Sequence, residues 1–90
     1  MDNTSYSTRD LTEAATLVTY GHPIINIDYQ LEGEQNRPIG YFHFDACKEV
    51  EATKDLFMKG KCLVEPRMFQ SNTRMLKSKV TNIYKNPRLA

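Results

Sequence analysis

The chain has 90 residues, which is enough for one small domain, and an apolar share of 40%, which is enough for a compact core. It contains no run of about 18 apolar residues, and Met1 to Ser5 form neither a basic nor an apolar segment. We therefore expect a cytoplasmic protein with no membrane partner. Its two cysteines, Cys47 and Cys62, are expected to stay reduced there.

The net charge of +1 conceals an uneven distribution of charge along the chain. Residues 1–45 hold two basic and seven acidic side chains, whereas residues 46–90 hold ten basic and four acidic ones. From Pro66 to Ala90 there are six basic residues and no acidic one. Such an asymmetry indicates an anionic partner, with a solvated polar surface as the alternative explanation.

The first predicted element is a helix at about residues 8–20. Ser7 to Asp10 fits a capping box, in which two side chains accept hydrogen bonds from free amides at the helix start, and Thr8 is a competing cap. Gly21 can take the left-handed conformation that ends a helix. Helical spacing of apolar residues supports this helix, at Leu11, Ala14, Ala15 and Val18. Residues 1–6 are polar and unpatterned, so we expect them to form a flexible tail.

Two strands should follow. Ile24 to Tyr29 is β-branched and alternates apolar with polar residues, and Ile39 to Phe44 alternates with aromatic residues on both faces. The polar segment from Leu31 to Pro38 should connect them as a loop. Sequential strands with a short connection usually form an antiparallel hairpin, which needs helices over one face to be stable.

Two more helices complete the predicted fold. The second should run over 46–59, capped by Asp45 and ended by Gly60, with Ala46, Val50, Leu56 and Phe57 on its apolar side. Lys61 to Val64 is extended and is a candidate for a minor third strand. The third helix should start at Pro66 and reach about Tyr84. Its apolar side carries Met68, Phe69, Asn72, Met75, Leu76, Val80 and Ile83. The result is a two-layer α+β domain over residues 7–85, in the order α-β-β-α-α, with 86–90 as a flexible tail.

A basic and polar row lies opposite the apolar side of the third predicted helix. Its members fall within about 80° of one another on a helical projection and are Arg67, Gln70, Arg74, Lys77, Thr81 and Lys85. Each cation can contact a phosphate and release a counterion, while Gln70 and Thr81 can hydrogen-bond phosphate or sugar. DNA or RNA is the natural anionic partner. An ordinary solvated helix face is the main alternative, and an anionic protein or lipid is a further one. Lys79 projects onto the apolar side instead, where its charge must reach water.

Aromatic residues on the predicted strands suggest a second contact surface. Tyr41 and His43 share one strand face, and Tyr29 is placed opposite them on the neighbouring strand. Such a surface is typical of proteins that stack single-stranded bases. A packing role, or contact with a protein partner, is the commoner one for aromatic side chains on such a half-covered sheet.

Catalytic and metal-binding patterns are weak in this sequence. His22, His43, Cys47 and Cys62 have gaps that match no compact ligand pairing for zinc. Cys47 at a helix start, four residues from His43, is the best candidate nucleophile, although a packing role is more common for such a cysteine. No glycine-rich phosphate loop or nucleophile elbow occurs. We therefore expect no enzyme, no metal and no cofactor.

Several short motifs in order resemble those of a known family. They are Thr-Arg-Asp-Leu at Thr8 to Leu11, a helix end at Gly21, an aromatic second strand, and Val-Glu-Pro-Arg-Met-Phe at Val64 to Phe69. On these motifs, residues 6–84 are similar to a family of small domains of unknown function from phages and bacteria. The resemblance implies a small fold and a phage or mobile-element setting, and carries no activity. Glu65 stands before Pro66 where that family has aspartate.

The sequence therefore favours a small non-catalytic accessory protein that binds nucleic acid without reading its sequence, through the third helix. The alternative is a protein-interaction module that docks on a host or replication protein through the hairpin aromatics or the acidic loop at Glu32 and Glu34. A homo-oligomer is compatible with either. The two hypotheses differ in salt dependence, because only phosphate binding weakens steeply with salt.

Overall fold

The computed structural model describes residues 5–85, which form a three-stranded antiparallel sheet with helices packed on one face. In chain order the elements are β1 (Ser5–Thr8), α1 (Leu11–Thr19), β2 (Ile24–Glu32), β3 (Arg37–Asp45), α2 (Lys48–Met58) and α3 (Pro66–Lys85). The strand order in the sheet is β1-β3-β2. The predicted α+β class, the hairpin and its helical cover are confirmed. The tails predicted at residues 1–4 and 86–90 lie outside the described residues.

Strand β1 was not predicted, and it corrects the flexible tail that we expected through residue 6. Tyr6 pairs with Phe44 and Thr8 with Phe42, so this segment forms one edge of the sheet. Its four residues show no alternation of apolar and polar side chains that would predict a strand. Pairing with β3, distant in sequence, is what orders them.

Helix α1 begins three residues later than expected, because the cap is Asp10 and not Ser7. Asp10 Oδ1 accepts hydrogen bonds from the backbone amides of Thr12 and Glu13, at 2.9 and 3.2 Å. Ser7 belongs to β1, so the predicted capping box is wrong. The other end follows the prediction: Gly21 has a φ of +96° and closes the helix.

The hairpin is longer than the sequence indicated. Strand β2 runs to Glu32, which pairs with Arg37, so the turn contains only residues 33–36. Pro38 lies inside β3 despite lacking an amide hydrogen. Among the described residues β1 pairs only with Phe42 to Asp45, so this part of β3 has only β2 beside it and tolerates proline.

Helix α2 also begins later than predicted. Asp45 ends β3 and pairs with Ser5, so it does not cap the helix, and Cys47 stands at the cap position without a side-chain hydrogen bond. Gly60, with a φ of +71°, follows the end of the helix as expected. Residues 61–64 form no strand.

Helix α3 matches its prediction closely and joins the core beneath it. Glu65 caps it, since Glu65 Oε1 accepts from the Met68 amide at 2.8 Å. The buried apolar core lies between the sheet and the three helices and consists of Ala14, Ala15, Leu17, Phe42, Phe44, Val50 and Leu76. Because every helix contributes to this cluster, the helices occupy the sheet face that bears Phe42 and Phe44.

Candidate nucleic-acid interface

The basic row of α3 is exposed along its whole length. We define this row as Arg67, Gln70, Arg74, Lys77, Thr81 and Lys85. The other side of the helix packs inward, with Leu76 fully buried and Phe69, Met75 and Val80 against the core. The predicted amphipathic arrangement is therefore present, except that Met68 is 54% exposed. The helix presents the row to solvent as one continuous surface.

The four cations of the row have no anionic partner in residues 5–85. In that part of the chain, two contacts join a basic to an acidic side chain, and they involve Arg9 with Glu32 and His43 with Asp28. Helix α3 itself contains no acidic residue. From Arg67 to Lys85 the row extends about 27 Å at 1.5 Å per residue. That length matches about eight nucleotides of one strand in duplex DNA.

Three contacts fix the rotation of α3 about its axis. Asn72 Nδ2 donates a hydrogen bond to Thr19 Oγ1 at 3.0 Å. Val80 packs directly on Gly40 of β3. Near the end of the helix, the Tyr84 ring meets the Tyr29 ring edge-on, with centroids 5.4 Å apart. These contacts join α3 to α1 and to both hairpin strands, so the basic row points away from the rest of the domain.

The predicted aromatic surface does not assemble as expected, because Tyr29 lies on the other face of the sheet. Tyr29 pairs with Gly40 and packs under α3, whereas Tyr41 pairs with Asp28 and belongs to the opposite face. Tyr41 and His43 do share that face, two residues apart on β3. The prediction that three residues form one stacking surface is therefore wrong. Tyr41 and His43 share a face, and Tyr29 does not belong to it.

A hydrogen-bonded group surrounds Tyr41 on the outer sheet face, the face turned away from the helices. The Tyr41 hydroxyl donates to Glu32 Oε2 at 2.6 Å, and Arg9 Nη1 donates to Glu32 Oε1 at 2.9 Å. The hydrogen bond from Tyr41 and the charge of Arg9 hold the pKa of Glu32 below its usual value. The same hydrogen bond raises the pKa of Tyr41.

The outer sheet face carries carboxylates beside both rings. His43 Nε2 lies 3.2 Å from Asp28 Oδ2, and Glu32 is held against Tyr41. Asp45 is exposed at the end of the same strand. Arg9 is paired with Glu32, and Arg37 lies opposite Glu32 on the same face, so the outer sheet face carries charges of both signs. This outer sheet face and the basic helix row are on opposite sides of the domain.

The predicted metal and thiol residues are dispersed. His22 Nε2 lies 2.8 Å from Thr53 Oγ1, and His43 is on the outer sheet face. Cys62 Sγ is 3.7 Å from the Thr53 carbonyl, whereas Cys47 is exposed and is not the packing residue that we expected. Residues 5–85 contain no group of three or more side chains suited to holding a metal ion.

Sequence reasoning missed an apolar groove of about 550 Å³ beside β2. The start of β2, the end of α1 and the second half of α3 form its walls, which include Val18, Ile24, Ile27, Met75 and Ile83. Lys79 lines the groove and is exposed. Its position on the apolar side of the helix was the one sequence signal for this feature.

A second feature that sequence reasoning missed is a buried carboxylate. Glu13 is 5% exposed, and its two oxygens accept hydrogen bonds from the Tyr6 and Thr8 hydroxyls. The pKa of Tyr6 is raised by burial of its hydroxyl, by its hydrogen bond to Glu13 and by the charge of Glu13. In the sequence, Glu13 resembles an ordinary first-turn charge, so no signal separated it from a solvent-exposed glutamate.

Comparison of the chain with family models, curated proteins and solved structures finds no match. The similarity to phage and bacterial domains therefore stays a prediction. No helix within residues 5–85 has the length and apolar character needed to cross a membrane.

Proposed function

We propose that this protein is a non-catalytic accessory protein that binds DNA or RNA through the basic row of α3. One observation carries the proposal: Arg67, Arg74, Lys77 and Lys85 lie on one exposed helix face with no anionic partner in residues 5–85. A phosphate backbone is the repeating anion that such a row complements, because each contact releases a condensed counterion.

The chemistry of the row favours backbone contact without base recognition. It contains no aromatic side chain that would stack on a base. Arg67 and Arg74 can each bind a phosphate through two parallel hydrogen bonds, while Lys77 and Lys85 act as point charges. Gln70 and Thr81 supply neutral hydrogen bonds to phosphate or sugar. Affinity should therefore depend on charge and salt, and little on sequence.

The distribution of charge in the domain supports this orientation. The outer sheet face carries Asp28, Glu32 and Asp45 together with Arg9 and Arg37, whereas α3 carries basic residues and no acidic one. The field of a polyanion turns such a domain so that α3 approaches first. The proposal thus assigns one face to the nucleic acid and leaves the other free.

Fluorescence anisotropy at low salt with labelled single-stranded DNA, duplex DNA and single-stranded RNA tests the proposal. The double variant R74E/K77E should lose binding, and circular dichroism should show that it is still folded. K48E/K61E is the matched control, because it makes the same charge change at two exposed lysines outside α3 and should retain binding. Equal affinity of the wild type and a folded R74E/K77E would refute the proposal.

The alternative, a protein-interaction module, is favoured by the apolar groove beside β2. This role does not require the charges of α3. If the wild type binds none of the three probes at low salt, protein contact becomes the better account. The proposal also assigns the protein to a phage or mobile element, and this part of it rests on the sequence resemblance alone.

A further inference from the structure

We infer that the nucleic acid is double-stranded DNA and that α3 binds it by lying in the major groove. In this arrangement the side of α3 farthest from the core faces the base edges, and a sugar-phosphate backbone runs along each flank of the helix. The inference rests on the proposed function, because it names the class of nucleic acid that the basic row takes.

The first observation is that α3 forms the surface of the helical layer. Only one of its 20 residues, Leu76, is buried, whereas five consecutive residues of α1, Glu13 to Leu17, are buried. An α-helix with its side chains is about 10–12 Å across, and the major groove of B-form DNA is about 12 Å wide. The groove therefore admits the exposed side of α3. The major groove of duplex RNA is deep and narrow and does not admit it.

The second observation is the composition of the side of α3 that lies opposite Leu76. On a projection at about 100° per residue, five exposed residues fall within about 60° there. We call them the outer line, and they are Arg67, Ser71, Arg74, Ser78 and Lys85. The two serines are short and let the helix axis approach the floor of the groove. Their hydroxyls can bond to any base, so this approach adds little sequence preference.

The third observation is that both flanks of the outer line carry groups that bind phosphate. Lys77 and Gln70 lie on one flank, and Asn82, which is exposed and outside the basic row, lies on the other. A helix that rests on a single strand uses one flank, whereas a helix in the major groove has a backbone on each side. Since α3 contains no acidic residue, neither backbone is repelled by the helix. Asn82 therefore distinguishes the two arrangements.

The fourth observation argues against single strands. Proteins that bind single-stranded nucleic acid usually stack its bases on aromatic side chains. Helix α3 has two aromatic residues, and neither lies on the outer line. Phe69 packs against the core, and Tyr84 meets Tyr29. The exposed side of α3 is thus a convex, charged surface without a ring for stacking, which suits a rigid duplex better than a flexible strand.

Fluorescence anisotropy with three probes of the same sequence and length tests the class of nucleic acid. Duplex DNA should bind at least about tenfold more tightly than duplex RNA or single-stranded DNA at the same salt concentration. Equal or tighter binding of duplex RNA or of single-stranded DNA would overturn this inference and leave the proposed function intact. If none of the three probes binds, the proposed function fails, and the inference fails with it.

A modified duplex tests the groove. Bulky substituents on the C5 atoms of pyrimidines project into the major groove, so a duplex that carries them should bind more weakly than the unmodified duplex. Equal affinity for the two duplexes would show that α3 does not enter the major groove.

The variant N82D tests contact with the second backbone. Its carboxylate should weaken binding of duplex DNA about tenfold through repulsion of phosphate, and should leave the weaker binding of single-stranded DNA unchanged. Q30E is the matched control, because it converts an exposed amide on the outer sheet face into a carboxylate and should bind duplex DNA like the wild type. Circular dichroism should show that both variants are folded. If folded N82D binds duplex DNA as tightly as Q30E does, α3 uses one flank only and the groove arrangement is wrong.

Discussion

Gly40 of β3 lies so close to Val80 of α3 that a Cβ atom at position 40 would stand 2.5 Å from Val80 Cγ2. The absence of a side chain at residue 40 is what lets α3 lie against the hairpin. Tyr29, which pairs with Gly40 across the strands, extends the same contact to Tyr84. The packing of α3, the helix that carries the basic row, therefore depends on Gly40.

Replacing Gly40 by alanine should lower the free energy of unfolding by about 1 to 3 kcal/mol, the usual cost of an overpacked site. Val80 is branched at Cβ and cannot easily rotate away from the new methyl group, so β3 and α3 must separate slightly. Urea unfolding followed by circular dichroism measures the loss.

A double-mutant cycle with Val80→Ala supplies the control for this prediction. The valine truncation alone should destabilise the protein, because Val80 packs on the core. In the Gly40→Ala background the same truncation should cost less, since it makes room for the new methyl group. Strictly additive costs would show that residues 40 and 80 do not interfere with each other.

Glu13→Ala should destabilise the fold by about 2 to 4 kcal/mol, because it leaves the Tyr6 and Thr8 hydroxyls without their shared acceptor. Hydrogen exchange should then show faster opening of β1 than of β2 and β3. Glu49→Ala is the control: Glu49 is exposed, and its truncation should change stability by about half a kcal/mol or less. Equal effects of the two changes would contradict the buried role of Glu13.

Stability should depend on the ionisation of Glu32 in acid. Because the folded pKa of Glu32 lies below its ordinary value of 4.5, the contribution of its charge is present above that value. The contribution is lost as the pH falls through the lower, folded pKa. Glu32→Gln removes this dependence, so stability measured from about pH 6 to pH 3 should fall less steeply than in the wild type. Parallel curves for the two proteins would show that Tyr41 and Arg9 do not favour the carboxylate.

Local patterns predicted α3 well and β1 not at all. The start at Pro66 and the helical spacing through Ile83 lie within one segment, so neighbouring residues specify the element. Strand β1 exists because Tyr6 and Thr8 pair with β3, more than thirty positions away along the chain. Asp45 is a good helix cap by its type, but pairing with Ser5 takes it into the sheet.

The sequence likewise predicted the part of the site that lies within one helix and missed the parts that depend on contacts between elements. The basic row follows from the periodicity of a single helix and is exposed as expected. Alternation places Tyr29 on the same face of β2 as Ile27, but the sequence does not give the register of β2 against β3. That register decides which residues of β3 share a face with Tyr29. The groove forms between α1, β2 and α3, which are not adjacent in the sequence. Its one sequence signal was the position of Lys79 on the apolar side of α3.

The salt dependence of nucleic-acid binding tests the central claim most directly. If Arg67, Arg74, Lys77 and Lys85 each contact a phosphate, the logarithm of the duplex binding constant should fall against the logarithm of salt concentration with a slope of about −3.6. Raising salt from about 50 to 200 mM should then weaken binding roughly a hundredfold. A slope close to zero, or no binding of DNA or RNA by the wild type at low salt, would contradict the account.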